Sequence, residues 1–306
     1  MKNDTFIKPS ESGASRAKDF RALIAGGKPI IAPTAHDALS ARLIVLLGFK
    51  AIALGGSTML ASRFAMPDLG IAGFGEMEDV TRTIVTSVQI PCIADADDGY
   101  GDLNCVVRTV RSFEDAGVAA LVLEDQDRAK KRPGDSAAYS VGDASALAAK
   151  IRTAVTYRNN PDTVIVARTD SYSVEGVDGA LRRCEAYVRA GADGFFVPSV
   201  SKYEHLELIG KSFPGVFKLL VQVEGSPTPM LPTAELYDMG FTLIAYPTYI
   251  LNRALLAMEG ACNELLDSAV AGFAPAVMPD LSQVRARFNS AVDLDKWIGI
   301  ERGAPI

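Results

Sequence analysis

Two aspartates spaced two residues apart follow a short apolar run in residues 91–101, which read PCIADADDGYG. In a β-strand, residues two apart project from the same face, so Asp95 and Asp97 would lie side by side at a strand end. Two carboxylates there would repel each other unless a cation lay between them, and Mg²⁺ is commonly held by one or two carboxylates and water. The alternative is structural: the acids would cap a helix or a turn, with Gly99 and Gly101 as turn residues. This segment alone leaves both interpretations open.

Composition and charge restrict the classes of function. The chain has 306 residues, of which 48% are hydrophobic and 22% charged, a balance typical of globular proteins. The net charge of −6 and the pI of about 5.1 argue against nucleic acid as a partner, because phosphate neutralisation needs a basic patch. The four cysteines are scattered, with no Cys-x-x-Cys pair, which is typical of core thiols in a reducing compartment.

No segment has the pattern of a targeting or membrane-spanning sequence. Residues 1–15 are polar and mixed in charge, without the apolar stretch of a secretory signal. No uninterrupted apolar run approaches the roughly 18 residues that a membrane-spanning helix needs. We therefore expect a cytoplasmic protein that has neither a membrane nor a nucleic acid as partner.

Eight short apolar segments predict a parallel sheet with helices outside it. They lack strict alternation, as expected for strands buried on both faces, and cover residues 29–33, 51–54, 92–96, 119–123, 164–167, 194–197, 218–223 and 243–246. Glycine closes several of the intervening helical patterns about three residues before a strand, at Gly48, Gly117, Gly191 and Gly240. These joints fit an open doubly wound sheet or a (β/α)₈ barrel. The number of strands, and the lack of Gly-x-Gly-x-x-Gly after an early strand, favour the α/β class with a (β/α)₈ (TIM) barrel.

The C-terminal part of the chain has a different pattern. We predict one domain over residues 1–306, with the barrel at about 21–273 and a tail at 274–306. Residues 249–273 form a long helical pattern that is apolar over much of its surface. A helix of that kind is often buried by a partner subunit.

Polar and charged residues follow most of the predicted strands. They include Asp95 and Asp97 after the third strand, Glu124 after the fourth, Arg168 after the fifth, and Gln222 and Glu224 after the seventh. The active site of such a barrel lies at the C-terminal ends of its strands. Acids at several strand ends together with one arginine predict a metal site, with Arg168 holding a substrate carboxylate. The alternative for Arg168 is a structural ion pair with Asp170.

The motifs resemble those of the isocitrate lyase and phosphoenolpyruvate mutase superfamily, over residues 21–273. They are Gly-Gly-Ser at 55–57, Pro-Asp-Leu-Gly at 67–70, Asp-Ala-Asp at 95–97 with Gly-Tyr-Gly following, Glu-Asp-Gln at 124–126 and Ala-Arg-Thr-Asp at 167–170. All five occur in the order and at the spacing of that superfamily. The resemblance implies a (β/α)₈ barrel that exchanges its eighth helix between subunits, as a homodimer or homotetramer.

The resemblance also implies roles for individual residues. Asp95 would be the main ligand of Mg²⁺, with Mn²⁺ as the alternative ion, and Asp68, Asp97 and Glu124 would hold water molecules of that ion. Substrate binding is assigned to Gly55, Gly56, Ser57 and Arg168, and at the end of the seventh strand to Gln222 and Glu224. Catalytic roles are assigned to Arg168, Glu124 and Lys131.

The chain departs from the superfamily in the loop after the fourth strand. Lyases of the methylisocitrate branch carry Cys-Gly-His there, whereas residues 129–135 read AKKRPGD. The basic residues 130–132 fit either a solvated charge run or a loop that closes over an anionic substrate. The motifs Leu-Gly-Gly-Ser at 54–57 and Asp-Gly-Tyr-Gly at 98–101 resemble those of oxaloacetate decarboxylases, whereas residues 167–192 resemble those of methylisocitrate lyases. The two parts of the chain thus indicate different branches.

The reaction that we predict is Mg²⁺-dependent carbon–carbon cleavage of a small 2-hydroxy or 2-oxo di- or tricarboxylic acid, through a pyruvate-like enolate. The alternatives are an oxaloacetate-type decarboxylase or hydrolase, a phosphonate mutase-like enzyme, and a carboxylate-binding barrel without turnover. Decarboxylation of a 2-oxo acid needs no base, because an electron sink such as Mg²⁺ is sufficient for it.

Overall fold

The computed structural model describes residues 12–130, 140–275 and 281–303. Eight parallel strands form a closed barrel in chain order, so that β8 pairs with β1. The strands are β1 (Ile30–Ala35), β2 (Ile52–Leu54), β3 (Cys92–Asp95), β4 (Ala120–Glu124), β5 (Val164–Arg168), β6 (Gly194–Phe196), β7 (Phe217–Val221) and β8 (Leu243–Tyr246). The prediction of a (β/α)₈ barrel is confirmed, and each predicted strand is present with ends that shift by two residues or fewer.

Helices surround the barrel and connect its strands. They are α1 (Ser12–Ala25), α2 (Ala38–Leu46), α3 (Gly56–Phe64), α4 (Phe74–Thr86), α5 (Leu103–Ala116), α6 (Ala144–Tyr157), α7 (Tyr172–Arg189), α8 (Tyr203–Lys211), α9 (Thr233–Met239) and α10 (Tyr249–Ala271). Two short helices follow, α11 (Ser282–Ala291) and α12 (Leu294–Glu301).

Side-chain alternation along the strands separates two layers of the core. In β5, Val164 and Val166 pack in a cluster that gathers residues of β1 and β3 to β8. Ile165 and Ala167, one position along, pack instead in a cluster shared with the surrounding helices. Successive residues of a strand point to opposite faces, so both faces of each strand must be apolar. This requirement explains the continuous apolar runs in the sequence.

Glycine ends the predicted helix–strand joints in a left-handed conformation, as expected. Gly240 has φ +111°, and a Cβ atom placed on it would lie 2.3 Å from the backbone oxygen of Gly210. A side chain at Gly240 would therefore face both backbone strain and a steric clash. Gly48, Gly117 and Gly191 also have positive φ angles.

α10 differs from the helices that pack on the barrel, because none of its residues is buried. Large apolar side chains are exposed along its length, among them Leu256 at 66%, Leu266 at 62% and Val270 at 83%. Within the described ranges, no helix is long and apolar enough to cross a membrane.

Candidate active site

The carboxylate of Asp95 is fixed at the C-terminal end of β3. Its Oδ2 accepts a hydrogen bond from the backbone N–H of Gly56 at 3.2 Å, and its Oδ1 accepts one from the backbone N–H of Asp97 at 3.0 Å. A Cβ atom on Gly56 would lie only 3.0 Å from Oδ2, so glycine permits this close approach. Because a carboxylate offers about four lone-pair sites, these two bonds leave Asp95 with further acceptor capacity.

Asp97 does not lie beside Asp95 in the way that strand alternation predicts. β3 ends at Asp95, and Asp97 is buried with a left-handed φ of +48°. Its carbonyl accepts the backbone N–H of Glu124 at 2.8 Å. The two-residue spacing therefore gave the wrong geometry, because the extended backbone stops before Asp97. Its proposed contact with metal-bound water remains a prediction.

Arg168 ends β5 and contacts two carboxylates. Its Nε and Nη2 each donate to Asp170 at 2.8 Å, and its Nη1 lies 2.9 Å from Oε2 of Glu124. Burial alone would lower the pKa of Arg168, but the negative charges of Asp170, Glu124 and Asp95 raise the pKa well above its usual value. An arginine has five N–H donors. Arg168 is thus in an ion pair and still has N–H groups for a substrate.

A buried network behind Arg168 holds Asp170 in place. Asp125 accepts the backbone N–H of Asp170 at 3.0 Å and the hydroxyls of Thr169 and Tyr187 at 2.7 Å. Arg183 pairs with the same carboxylate at 3.1 Å. Burial, and then the charge of Asp125, raise the pKa of Tyr187. A role for Asp125 is not predicted from the sequence, although the Glu-Asp-Gln motif contains this residue.

A cavity of about 390 Å³ opens between these groups, within the range of small-molecule sites. One side, which we call the polar wall, consists of Thr34, Gly55, Gly56, Ser57, Asp68, Asp95, Gln126 and Arg168. The opposite side, which we call the apolar wall, consists of Phe196, Pro198, Leu219, Val221, Val223, Ala245 and Pro247 and is bordered by Thr248. The remaining lining residues, Ala53, Leu54, Ile93 and Val122, come from within β2, β3 and β4.

Six of the predicted site residues meet in this cavity. They are Gly55, Gly56, Ser57, Asp68, Asp95 and Arg168. Glu124 is buried and pairs with Arg168 but does not line the cavity. Lys131 lies outside the described residues, and its catalytic role remains a prediction.

Gln222 and Glu224 are not brought into the cavity. The amide of Gln222 donates to the carbonyl of Pro229 at 3.1 Å and accepts the backbone N–H of Leu231 at 3.0 Å. Glu224 is exposed and pairs with Arg253 of α10 at 2.8 Å, and this hydrogen bond lowers the pKa of Glu224. Strand alternation explains the outcome for Gln222, because its neighbours Val221 and Val223 face the cavity instead. The structure therefore gives no support to a substrate-binding role for either residue.

Two polar atoms of the polar wall have no hydrogen-bond partner among the described residues. They are Oγ1 of Thr34 and Oε1 of Gln126, and both are buried. A buried polar atom costs free energy unless a ligand or water satisfies it. Neither residue was predicted as a site residue, although each follows the end of a predicted strand, 29–33 for Thr34 and 119–123 for Gln126, which was the available signal.

The hydroxyl of Tyr100, like the side-chain oxygens of Thr34 and Gln126, is buried without a hydrogen-bond partner in the described part of the chain. Burial raises its pKa well above the usual value, and the charges of Asp97 and Asp95 add to that shift. The Arg128 guanidinium lies 5.0 Å from the centre of its ring. Tyr100 is therefore a neutral phenol beside the acids of the site.

The donor chemistry of the cavity fits a hard divalent cation. Asp68 and Asp95 both contribute carboxylates to its lining. No three His, Cys, Asp or Glu side chains in the described ranges form a metal-binding group by themselves. Mg²⁺ usually takes one or two protein carboxylates and completes its coordination with water and substrate. Asp95 and Asp68 supply that number of carboxylates.

Comparison with known proteins gives the family of the chain. Residues 20–266 match the family model described as phosphoenolpyruvate phosphomutase. The 2,3-dimethylmalate lyase of Eubacterium barkeri is 38% identical over 288 residues, which cover 93% of this chain and 96% of that protein.

Solved structures agree with this assignment. Oxaloacetate acetylhydrolase in complex with the product oxalate has a TM-score of 0.86 at 28% identity, covering 96% of this chain and 99% of that one. Phosphonopyruvate hydrolase in complex with oxalate and Mg²⁺ has a TM-score of 0.78 at 26% identity, covering 94% and 98%. The chain therefore belongs to the isocitrate lyase and phosphoenolpyruvate mutase superfamily, an enzyme family whose named members include carbon–carbon lyases.

Proposed function

We propose that this protein is a Mg²⁺-dependent carbon–carbon lyase that acts on a small 2-hydroxy or 2-oxo acid. Mn²⁺ is the alternative ion. The observation that carries the proposal is the convergence of Asp95, Arg168 and the N-terminus of α3 on one cavity. The similarity to 2,3-dimethylmalate lyase over most of both chains supports the same reaction type.

The first turn of α3 provides a site for the carboxylate next to the reacting carbon. α3 begins at Gly56, and its cap residue Gly55 makes no side-chain hydrogen bond. The first N–H groups of a helix have no partner within the helix, and together with the helix dipole they favour an anion. The N–H of Gly56 already donates to Asp95, so those of Ser57 and Thr58 are the ones proposed for the substrate. Ser57, in the same turn, adds a hydroxyl at the cavity.

Arg168 and Asp95 act on the oxygen at C2. Arg168 directs its remaining N–H donors to the substrate, and the pairs with Glu124 and Asp170 keep its guanidinium in one orientation. Asp95, assisted by Asp68, would hold the cation, and the cation would supply positive charge for the oxygen on which negative charge develops.

The bond changes of a 2-hydroxy acid follow from this arrangement. The C2 hydroxyl loses its proton to a base, the C2–C3 bond breaks, and C2 becomes the ketone carbon of a 2-oxo acid. The electron pair passes to C3 and its adjacent carboxylate, and C3 then takes up a proton. If the substrate is a 2-oxo acid, the electron pair of the broken bond passes instead to the C2 oxygen. The enolate formed is then that of a pyruvate-like product. Lys131 is retained as the proposed loop cation.

A second candidate function is hydrolysis or decarboxylation of oxaloacetate. The similarity to oxaloacetate acetylhydrolase with bound oxalate favours it, as does the sequence of the loop, which lacks the cysteine and histidine of the methylisocitrate branch. Both candidates use the same cavity and the same Asp95.

The test is a set of reactions in the presence of Mg²⁺. We expect pyruvate release from 2-methylmalate or 2,3-dimethylmalate, followed with a coupled dehydrogenase, and loss of that release on chelation. Release of acetate and oxalate, or of CO₂, from oxaloacetate alone would favour the second candidate. Oxalate binding without any turnover would contradict both and support a binding protein.

We also propose that α10 packs against a partner subunit, giving a homodimer or homotetramer by helix exchange. Its exposed apolar residues support this assembly, because soluble monomers rarely expose large contiguous apolar patches. Sedimentation of the intact protein tests it, and a monomer at micromolar concentration would contradict it. A cytoplasmic location is part of the same proposal, supported by the four free cysteines.

A further inference from the structure

The polar wall and the apolar wall also differ in polarity at the C-terminal ends of their strands, where the cavity opens. At the polar wall, Asp95 and Arg168 are the last residues of β3 and β5. At the apolar wall, Phe196 and Val221 are the last residues of β6 and β7, and the lining continues one or two positions beyond β6, β7 and β8 with Pro198, Val223 and Pro247. The apolar surface therefore includes the mouth of the cavity as well as the barrel interior.

Two polar residues of the apolar half, Gln222 and Tyr246, face away from the cavity, and Thr248 only borders the apolar wall. Gln222 uses both ends of its amide on the backbone of Pro229 and Leu231. The hydroxyl of Tyr246 lies 3.4 Å from the hydroxyl of Thr233, and neither Tyr246 nor Gln222 lines the cavity. A substrate group that reaches this half therefore contacts mainly methyl, methylene and ring carbons.

Strand order fixes which part of a substrate reaches the apolar wall. In a closed barrel of eight strands in chain order, β7 lies opposite β3. A substrate held by Asp95 of β3 and by the first turn of α3 extends its other end across the barrel, toward Val221 and Val223. That end carries C3 and the substituents of C3.

The charge of the lining disfavours a further carboxylate at that end. Arg168 is the only cation among the described residues that line the cavity, and it already pairs with Glu124 and Asp170. A third carboxylate placed against Val223 and Pro247 would lose its hydration and would find no cation among the described lining residues, which is costly.

We propose that the substrate carries a small uncharged alkyl group on C3, a methyl group foremost, and that the apolar wall selects it against a carboxymethyl group. The inference rests on the proposed lyase function. It narrows the substrate class from di- or tricarboxylic acids to alkyl-substituted dicarboxylic acids.

Three acids isolate the C3 substituent. 2-Methylmalate, 2,3-dimethylmalate and 2-methylisocitrate carry hydrogen, methyl and carboxymethyl on C3, and cleavage of each releases pyruvate. We expect kcat/KM for the dimethyl compound to exceed that for 2-methylmalate by about tenfold, which is a usual effect of one methyl group in an apolar pocket. The kcat/KM for 2,3-dimethylmalate should exceed the kcat/KM for 2-methylisocitrate by about 100-fold or more. Equal or faster cleavage of 2-methylisocitrate would overturn the inference.

A variant locates the selection in the apolar wall. Val223→Thr keeps the shape of the side chain and adds a hydroxyl, so the preference for dimethylmalate over methylmalate should fall about fivefold. Oxalate, which occupies only the polar wall, should bind to the variant as it does to the unmodified protein. Val174→Thr is the matched control, because Val174 is 53% exposed on α7. It should change neither the preference for dimethylmalate nor the affinity for oxalate. An unchanged preference in Val223→Thr would contradict the role of the wall.

Competition with oxalate separates this inference from the proposed function. If none of the three acids releases pyruvate, the proposed lyase function fails, yet each acid can still displace labelled oxalate in the presence of Mg²⁺. Displacement in the order dimethylmalate, methylmalate, methylisocitrate supports the alkyl-selective wall. Strongest displacement by methylisocitrate refutes it, whatever the turnover.

Discussion

The polar wall and the apolar wall of the cavity are built by different physical means. The polar wall depends on buried charges that hold one another, as in the contacts of Arg168 with Asp170 and Glu124. The apolar wall depends on strand alternation, which turns Val221 and Val223 inward and Gln222 outward. The proposed function therefore assigns chemistry to one side of the barrel and substrate discrimination to the other.

The difference predicts unequal sensitivity to substitution. A buried charge network fails sharply when one member is lost, because its partners remain buried without compensation. An apolar surface changes gradually with the volume and polarity of each side chain. Substitutions in the polar wall should therefore reduce turnover, and substitutions in the apolar wall should alter substrate preference.

The largest effect is expected for Asp95→Asn. We expect kcat/KM for pyruvate release to fall about 1,000-fold or more, since a bound ion contributes several kcal/mol of charge stabilisation. The melting temperature should also fall somewhat, because the asparagine amide can accept only one of the two backbone N–H groups that Asp95 accepts. Asp102→Asn is the control, as Asp102 caps α5 and asparagine is an equally good cap. Full activity of Asp95→Asn would refute the metal assignment.

A smaller loss is expected for Arg168→Lys. A lysine cannot bind both oxygens of Asp170 and also pair with Glu124, so the substrate would lose an oriented donor. We expect kcat/KM to fall about 100-fold and the thermal stability to decrease. Arg189→Lys replaces an arginine whose side chain is 77% exposed and should have no effect on either quantity. If Arg168→Lys retained most of its activity, Arg168 would be a structural ion pair only.

Asp125→Asn tests whether the network behind the polar wall positions Arg168. The amide would place its N–H₂ group either against the three donors that share Oδ2, from Thr169, Arg183 and Tyr187, or against the backbone N–H of Asp170 on Oδ1. We expect a loss of about 3 kcal/mol in the free energy of unfolding and about a tenfold fall in kcat. Oxalate affinity, measured well below the melting temperature, should fall as well. Unchanged oxalate affinity would show that Asp125 has only a structural role.

The smallest effect is expected for Thr34→Val, at the boundary between the two walls. Removing one hydrogen bond to a ligand should lower kcat/KM about fivefold. Stability should be unchanged or higher, because Oγ1 of Thr34 is buried with no partner in the described structure. Thr81→Val is a matched control, since the buried Oγ1 of Thr81 in α4 also lacks a partner in the described ranges but lies outside the cavity. Equal activity losses in both variants would exclude a ligand contact by Thr34.

The strands and the main acids of the polar wall were predictable from the sequence. Continuous apolar runs predict strands that are buried on both faces, and the residues after them fall at the barrel mouth, which is how Asp95 and Arg168 were found. The partners of Asp125 were not predictable, because Tyr187 lies 62 positions along the chain and only the barrel brings the two together.

Predictions for single side chains failed where strand alternation, local backbone conformation or tertiary packing determined the direction of the side chain. Gln222 was predicted to bind substrate, but a one-residue change of register turns every side chain of a strand to the other face. Asp97 was predicted to lie beside Asp95 on one face of a strand, but its φ of +48° is not that of an extended strand. The alternation of side chains along β3 therefore does not extend to Asp97. Glu224 pairs with Arg253 of α10, and the position of that helix is set by tertiary packing.

The most direct test of the account is a crystal structure grown with Mn²⁺ and oxalate, in which anomalous scattering locates the ion. We expect one anomalous peak in the cavity within coordination distance of the Asp95 carboxylate, with oxalate between that ion, Arg168 and the first turn of α3. The apolar wall should then contact no charged group of the ligand. An ion bound elsewhere, or oxalate held against Val223 and Pro247, would contradict the account.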